Sequence, residues 1–108
     1  MKLSELESKL SLKRLTSDTP DKEIASCYIS DLLSRVLGGC QNGDIWITVQ
    51  ASINMVAVAV MIDAACVILP EGLTAPANVI EKADDENLTI FTSPESAYSL
   101  ARQIASFI

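Results

Sequence analysis

The sequence predicts an α/β domain of three layers, in which helices cover both faces of a mostly parallel sheet of four to five strands. Segments rich in β-branched and aromatic residues indicate three short buried strands, and they read DIWITVQ, CVILP and TIFTS. Stretches of helical character separate these segments, as parallel strands require, because a crossover between them needs about a dozen residues and is usually a helix. No internal repeat or low-complexity tract argues against this fold class.

The apolar run at 53–69, INMVAVAVMIDAACVIL, decides between a membrane segment and a buried core. A helix that spans a bilayer needs about 20 mostly apolar residues, and Asp63 interrupts this run near its middle. We therefore predict a buried helix over 52–63 with Ser52 as its N-cap, followed by a buried strand that stops at Pro70. Both are expected to be apolar because neighbouring elements cover each of them.

The residues before this run predict two further strands and two helices. A short amphipathic helix should place Leu3, Leu6 and Leu10 toward the core, with a strand around 12–16 after it. The segment EIASCYIS is typical of a strand, and DLLSRVLGG of a helix capped by Ser30 and ended by its glycines. We expect residues 1–108 to form one domain, with residues 1–22 as an N-terminal helix and a strand or loop extension.

The last third of the chain predicts two helices around a short strand. The first should have Thr74 as its N-cap and Pro76 in its first turn, and the second Ser93 as its N-cap and Pro94 at its first helical position. In the second helix, apolar residues recur at intervals of three and four, so one face should pack on the sheet. These residues are Ala97, Leu100, Ala101, Ile104 and Ala105.

Charge and composition exclude several classes of partner. The 108 residues are 49% apolar and carry a formal net charge of −6 without any histidine. Such a chain repels nucleic acid and anionic membrane surfaces, so neither is an expected partner. The N-terminal stretch MKLSELESKLSLKRL lacks the apolar core of a signal peptide, which predicts a cytoplasmic protein with reduced cysteines.

The motifs of common enzymes are absent. No phosphate-binding string GxxxxGK and no GxGxxG occurs, and the lack of histidine excludes both Ser-His-Asp and Cys-His catalysis. The carboxylates at 84–86 are expected to form a solvated turn. Cys27, Cys40 and Cys66 lack metal-ligand spacing and should be buried or incidental thiols, and Cys40 is expected to be an exposed thiol after a helix. We therefore predict no catalytic residue, no metal site and no cofactor.

A ligand of this fold class would bind at the carboxyl ends of the strands, where loops and helix N-termini converge. The candidate ligand-binding residues there are Ser30, Asp31, Gln50, Asn54, Gly72 and Ser93. Each also has a structural explanation: the serines as helix caps, Asp31 as a partner of the helix dipole, Asn54 as a supplement to the Ser52 cap, and Gly72 as a turn residue. Without a basic residue among them, the ligand would be a small anion held by hydrogen bonds.

The stretch from Gly43 to Tyr98 resembles the DRTGG-domain family. The similarity lies in GDIWITVQ, NMVAVAV, ACVILPEG, TAPANVIEKA and IFTSPESAY, and it extends to YISDLLSRVL, so that it covers roughly residues 24–100. Members of this family occur as the N-terminal domain of HPr kinase/phosphorylase, between CBS domains of certain pyrophosphatases, and as small stand-alone proteins. The family is named after the residues Asp-Arg and Thr-Gly-Gly, and this chain departs from that motif. Ala51 and Ser52 lie near the position of Asp-Arg, and Gly72 is the only residue of Thr-Gly-Gly that is present.

The resemblance implies a layered α/β/α domain used for regulation and self-association, without kinase activity of its own. Two functions are therefore expected. The first is a non-catalytic regulatory or interaction module that forms a homodimer and binds a protein partner, through an apolar patch near the C-terminal helix where Phe107 and Ile108 end the chain. The alternative is a sensor of a nucleotide or a phosphorylated metabolite.

Overall fold

The computed structural model describes all 108 residues as five strands and five helices in one mixed sheet with two helical layers. In chain order they are α1 (Leu3–Lys9), β1 (Lys13–Arg14), β2 (Cys27–Ile29), α2 (Leu33–Gly39), β3 (Ile45–Ile47), α3 (Ile53–Met61), β4 (Cys66–Leu69), α4 (Ala77–Asp85), β5 (Ile90–Thr92) and α5 (Ala97–Ala105). The prediction of a three-layer α/β/α fold with a mostly parallel sheet is confirmed.

The strand order is β1-β5-β4-β3-β2, and β2 to β5 are parallel while β1 pairs with β5 in the antiparallel direction. The four parallel strands therefore follow one another across the sheet in the order in which they occur in the chain. Each connecting helix, α2, α3 or α4, lies on the same face, because every crossover has the same hand and moves in the same direction.

The strands are short and apolar on both sides because each face of the sheet is buried. Trp46 and Val67 point into one core with the helices α2, α3 and α4. Their neighbours in sequence, Ile47 and Ile68, point into a second core with α1 and α5. Alternation of side chains along a strand thus divides a continuous apolar sequence between two separate cores.

The predicted N-caps are right at one helix and wrong at three. Ser52 caps α3, since its Oγ accepts a hydrogen bond from the Met55 N–H at 3.2 Å. The helix α4 begins at Ala77 with Pro76 as its N-cap, so Thr74 does not cap it. The helix α5 begins three residues later than predicted, with Ser96 as its N-cap instead of Ser93, and Pro94 precedes the helix.

The helix α3 departs from the expectation of complete burial. Met55, Val56, Val58 and Ala59 are buried, but Ile53, Val60 and Met61 are exposed on the outer side of the helical layer. Only the inner and lateral sides of this helix are covered, because α2 and α4 flank it and no further element lies above it. None of the five helices is long and apolar enough to cross a membrane.

Candidate functional site

A network of hydrogen bonds joins the turn after β2 to the end of β3. The Asp31 Oδ1 atom accepts hydrogen bonds from the Thr48 hydroxyl and from the Val49 N–H, each at 2.9 Å. The Gln50 side-chain amide donates to the Asp31 carbonyl at 2.9 Å. We call these four residues the Asp31 strap. It holds the edge strand β2 against β3 at the carboxyl end of the sheet.

Ser30 belongs to the same region but does not cap a helix. Its hydroxyl accepts a hydrogen bond from the Leu32 N–H at 3.3 Å, which forms a local turn, and α2 starts only at Leu33 with Leu32 as its N-cap. The Ser30 carbonyl accepts from the Trp46 indole N–H at 2.9 Å. The predicted cap at Ser30 is therefore wrong, and the residue helps to fix the turn between β2 and α2.

Gly72 and Ser93 form a second, separate group at the ends of β4 and β5. The Gly72 N–H donates to the Ser93 carbonyl at 2.8 Å, and the Glu71 N–H donates to the Glu95 carbonyl at 2.8 Å. The Ser93 hydroxyl accepts from the Glu95 N–H at 3.1 Å. Gly72 has φ +72°, a conformation that glycine adopts without strain. These hydrogen bonds join the two loops.

Asn54 stands apart from both groups. It is exposed in the first turn of α3, and its side chain makes no hydrogen bond, so it does not supplement the Ser52 cap. The structure thus brings Ser30, Asp31 and Gln50 together, joins Gly72 to Ser93, and leaves Asn54 outside both groups. The role of these six residues in ligand binding stays a prediction.

The strand order explains why the six residues do not surround one crevice. In doubly wound sheets the ligand crevice forms where the strand order reverses and successive helices diverge to opposite faces. Here the parallel strands do not reverse, and the divergence of α4 and α5 after β4 and β5 is bridged by the bonds of Gly72 and Glu71. The polar groups at this edge satisfy one another, which suits them to hold loops in place.

Two surface grooves are present, and neither is lined by any of the six residues. The first, of about 270 Å³, lies between the edge strand β2 and helix α5. We call it the β2/α5 groove, and its lining residues are Ser26, Cys27, Ile29, Ala101, Ile104, Ala105 and Ile108. The second, of about 280 Å³, lies between α3 and α4. No charged side chain lines the β2/α5 groove.

The sequence pattern of α5 predicts a different role for two residues of this groove. Ala101 and Ala105 recur at the spacing of one helical turn, and the periodicity placed both on the face that packs on the sheet. In the structure Leu100 and Ile104 are buried there, whereas Ala101 is half-buried and Ala105 is exposed. These two small residues are the feature of the sequence that could have indicated a groove on this side of α5.

The three cysteines are poor nucleophiles. Burial, with the nearby Asp44 carboxylate, raises the pKa of the Cys27 thiol to about 11 and that of Cys40 to about 12. Burial raises the pKa of Cys66 as well. Cys40 is 5% exposed, so the expectation of an exposed thiol after a helix is wrong, because the side chain packs against the core beneath α2. A thiol held neutral lacks the thiolate that reacts.

No protein-family model and no curated protein sequence matches the chain. A solved structure does match: the CBS and DRTGG domains of the regulatory region of a Clostridium perfringens pyrophosphatase, in complex with the activator diadenosine tetraphosphate. The TM-score is 0.73 at 20% sequence identity, and the match covers 94% of this chain but 45% of that chain. The matched region is regulatory rather than catalytic. At this identity the likeness shows a fold shared with that region, which is what the resemblance to the DRTGG-domain family implies.

Proposed function

We propose that this chain is a non-catalytic regulatory module that self-associates, with the β2/α5 groove as the contact between two copies. The observation that carries the proposal is the open edge of β2 beside an uncharged apolar groove. The similarity of fold to a regulatory region supports a regulatory role, and the resemblance to the DRTGG-domain family supports self-association.

The main chain of β2 has unpaired groups on its outer side. The Ile45 N–H donates to the Ser26 carbonyl at 2.8 Å, so the main-chain groups of Ser26 and Tyr28 face β3. Successive residues of a strand point their main-chain groups to opposite sides, and those of Cys27 and Ile29 therefore face away from the sheet. An edge of this kind pairs readily with another strand.

A second copy would satisfy this edge with its own β2. Two edges related by a two-fold axis pair in the antiparallel direction and continue the sheet across both copies. The small side chains of Ala101 and Ala105 permit close approach, and Ile29 and Ile108, which are 49% and 47% exposed, would leave water on contact. None of the side chains that line the groove is charged, so contact there does not require a charged side chain to be desolvated.

Light scattering on a sizing column tests self-association. We expect a mass near twice 11.6 kDa at about 100 µM for the wild-type protein, a concentration at which a dissociation constant of about 1 µM gives mostly dimer. Ile29→Lys places a charge at the centre of the contact, and Ala105→Glu places one in the groove. Each is expected to give a monomer, because an unpaired charge in an interface costs several kcal/mol.

Tyr98→Lys is the matched control for these variants. Tyr98 lies on the same helix and is 77% exposed, but it does not line the groove, so the variant should stay a dimer. A wild-type monomer at this concentration would rule out self-association. A dimer that survives both Ile29→Lys and Ala105→Glu would place the contact on another surface.

A second function, the sensing of a small anionic ligand, is favoured by the activator bound to the matched pyrophosphatase region. It predicts a rise in melting temperature with diadenosine tetraphosphate, adenine or guanine nucleotides, or acetyl phosphate at millimolar concentration. A ligand at about 100 times its dissociation constant adds about 2.7 kcal/mol, which is several degrees for a domain of this size.

Asn54→Ala is the informative variant for the sensor function. The Asn54 amide is exposed and makes no hydrogen bond within the chain, so its removal should leave the melting temperature of the free protein unchanged. If Asn54 contacts the ligand, the ligand-induced shift decreases in this variant. The absence of a shift with every compound would exclude the sensor function for these ligand classes and leave self-association unaffected.

A further inference from the structure

We infer that the outer side of α3 is a docking surface for a basic amphipathic helix of a partner protein. We call this surface the α3 ridge, and it consists of Ile53, Ala57, Val60 and Met61. It lies in the helical layer opposite to α5 and is therefore separate from the β2/α5 groove.

The composition of α3 requires more burial than the isolated chain provides. Eight of its nine residues, INMVAVAVM, are apolar, and a helix that is apolar on all sides is normally covered on all sides. The sheet, α2 and α4 cover the inner and lateral sides. Met61 nevertheless remains 73% exposed and Ile53 41% exposed. A contiguous apolar surface of this kind, rimmed by polar residues, marks an interaction site.

The spacing of the α3 ridge suits a helix better than an extended peptide. Its members stand at positions i, i+4, i+7 and i+8, which lie in one stripe along a helix about 12 Å long. Side chains of a second helix can interdigitate with such a stripe over about two turns. An extended peptide gains most of its affinity from main-chain pairing, and the main chain of α3 is already paired within the helix.

The charges beside the ridge indicate the chemistry of the partner. The groove between α3 and α4 is lined by Ile53, Asn78, Glu81, Lys82 and Asp85. Lys82 Nζ pairs with Glu86 at 3.2 Å, while Glu81 and Asp85 have no basic side chain within ion-pair distance. The α4 side of the ridge is therefore negative. Lysine or arginine beside the apolar stripe of a partner helix would complement it.

The same border disfavours two other occupants. A second copy of the chain would bring an equally acidic α4, in which the one lysine of the groove is already paired. An anionic membrane surface would be repelled by Glu81 and Asp85 and by the net charge of −6. A basic helix matches both the apolar stripe and the charge of α4 beside it.

The probe for this surface is a synthetic amphipathic helix of about five turns, with leucines in one stripe and lysines on both sides of it. Its affinity is measured by fluorescence anisotropy and compared with that of a peptide in which glutamates replace the lysines. We expect binding of the lysine peptide that weakens with salt, and binding at least about tenfold weaker for the glutamate peptide.

Two alanine-to-glutamate variants separate the α3 ridge from the rest of the surface. Ala57→Glu should weaken binding of the lysine peptide at least about tenfold, because it buries a charge under the leucine stripe. Ala105→Glu makes the same change at an exposed helix position in the opposite layer, so peptide affinity should be unchanged. Glu81→Gln with Asp85→Asn should weaken binding and flatten its dependence on salt.

Amide chemical shifts of the labelled wild-type protein locate the peptide independently of any variant. They should change mainly at residues 53–61 and 78–85. The inference is overturned if no binding occurs, if Ala57→Glu binds as tightly as wild type, or if the shifts change at β2 and α5 instead. Self-association is tested separately, since Ala105→Glu should abolish it and Ala57→Glu should leave it intact.

Discussion

Trp46→Ala is expected to lower the free energy of unfolding by about 3 to 5 kcal/mol, the largest effect of any single substitution proposed for this protein. The indole is completely buried between the sheet and the layer of α2, α3 and α4. Its removal leaves a cavity and also takes the hydrogen bond from the Ser30 carbonyl. Small domains have about 5 to 15 kcal/mol of total stability, so this variant should be near the limit of folding.

Urea unfolding measured by far-ultraviolet circular dichroism is the appropriate test, because the substitution removes the only tryptophan of the chain. Trp46→Phe is the control. It keeps most of the buried apolar volume, so its loss of stability should be smaller. The loss that remains comes in part from the Ser30 carbonyl, which no longer has its indole donor. A loss below about 1 kcal/mol for Trp46→Ala would contradict the central position of this residue in the core.

Asp31→Ala is expected to lower the free energy of unfolding by about 2 kcal/mol, because hydrogen bonds to charged groups contribute about 1.5 to 3 kcal/mol. The carboxylate accepts hydrogen bonds from both Thr48 and Val49 in the Asp31 strap. Without it the Thr48 hydroxyl has no acceptor in the strap. Thr48 is only 2% exposed, so water does not easily replace that acceptor. Chemical denaturation of Asp31→Ala, Thr48→Val and the double variant measures how strongly the two residues are coupled.

Asp31→Asn distinguishes a structural role from a ligand contact. The amide oxygen can still accept from Thr48 and Val49, so most of the stability should return, while the charge is lost. Asp31 is one of the six candidate ligand-binding residues predicted from the sequence. If Asp31→Ala unfolds at the same urea concentration as wild type, the strap contributes nothing to stability and the ligand role gains support.

The locations of the strands followed from local chemistry. Cys66–Leu69 is apolar at every position and is stopped by Pro70, which cannot continue a ladder of main-chain hydrogen bonds. The helix after Ser52 was equally well indicated, because a serine hydroxyl there accepts the bond from Met55. Both signals lie within a few residues of the feature that they predict.

The wrong helix caps have a common cause. Serine hydroxyls form turns as readily as caps, and those of Ser30 and Ser93 accept from the N–H two residues later. The helices then begin farther along the chain. The prediction at Thr74 is wrong for a different reason. Pro76 itself has an extended conformation, with ψ 155°, so α4 begins only after it. Sequence alone does not decide between these local alternatives.

The candidate ligand site shows the limit of reasoning from sequence most clearly. Ser30, Asp31, Gln50, Gly72 and Ser93 do follow the carboxyl ends of parallel strands, which the pattern of elements determined. Whether such residues surround one crevice depends on strand order, and that order arises from packing between distant segments. It proceeds without reversal from β2 to β5, so the residues form two bonded groups.

The sequence by itself determined the class of fold, the position of each buried strand and the absence of familiar catalytic motifs. The period of the apolar residues and the prolines determine secondary structure locally, and a missing residue type such as histidine excludes a catalytic motif by composition alone. Only the tertiary structure decided which apolar residues stay in water. The edge of β2 and the outer side of α3 are as apolar in sequence as the core. Their exposure results from β2 having one neighbouring strand and α3 having no element above it.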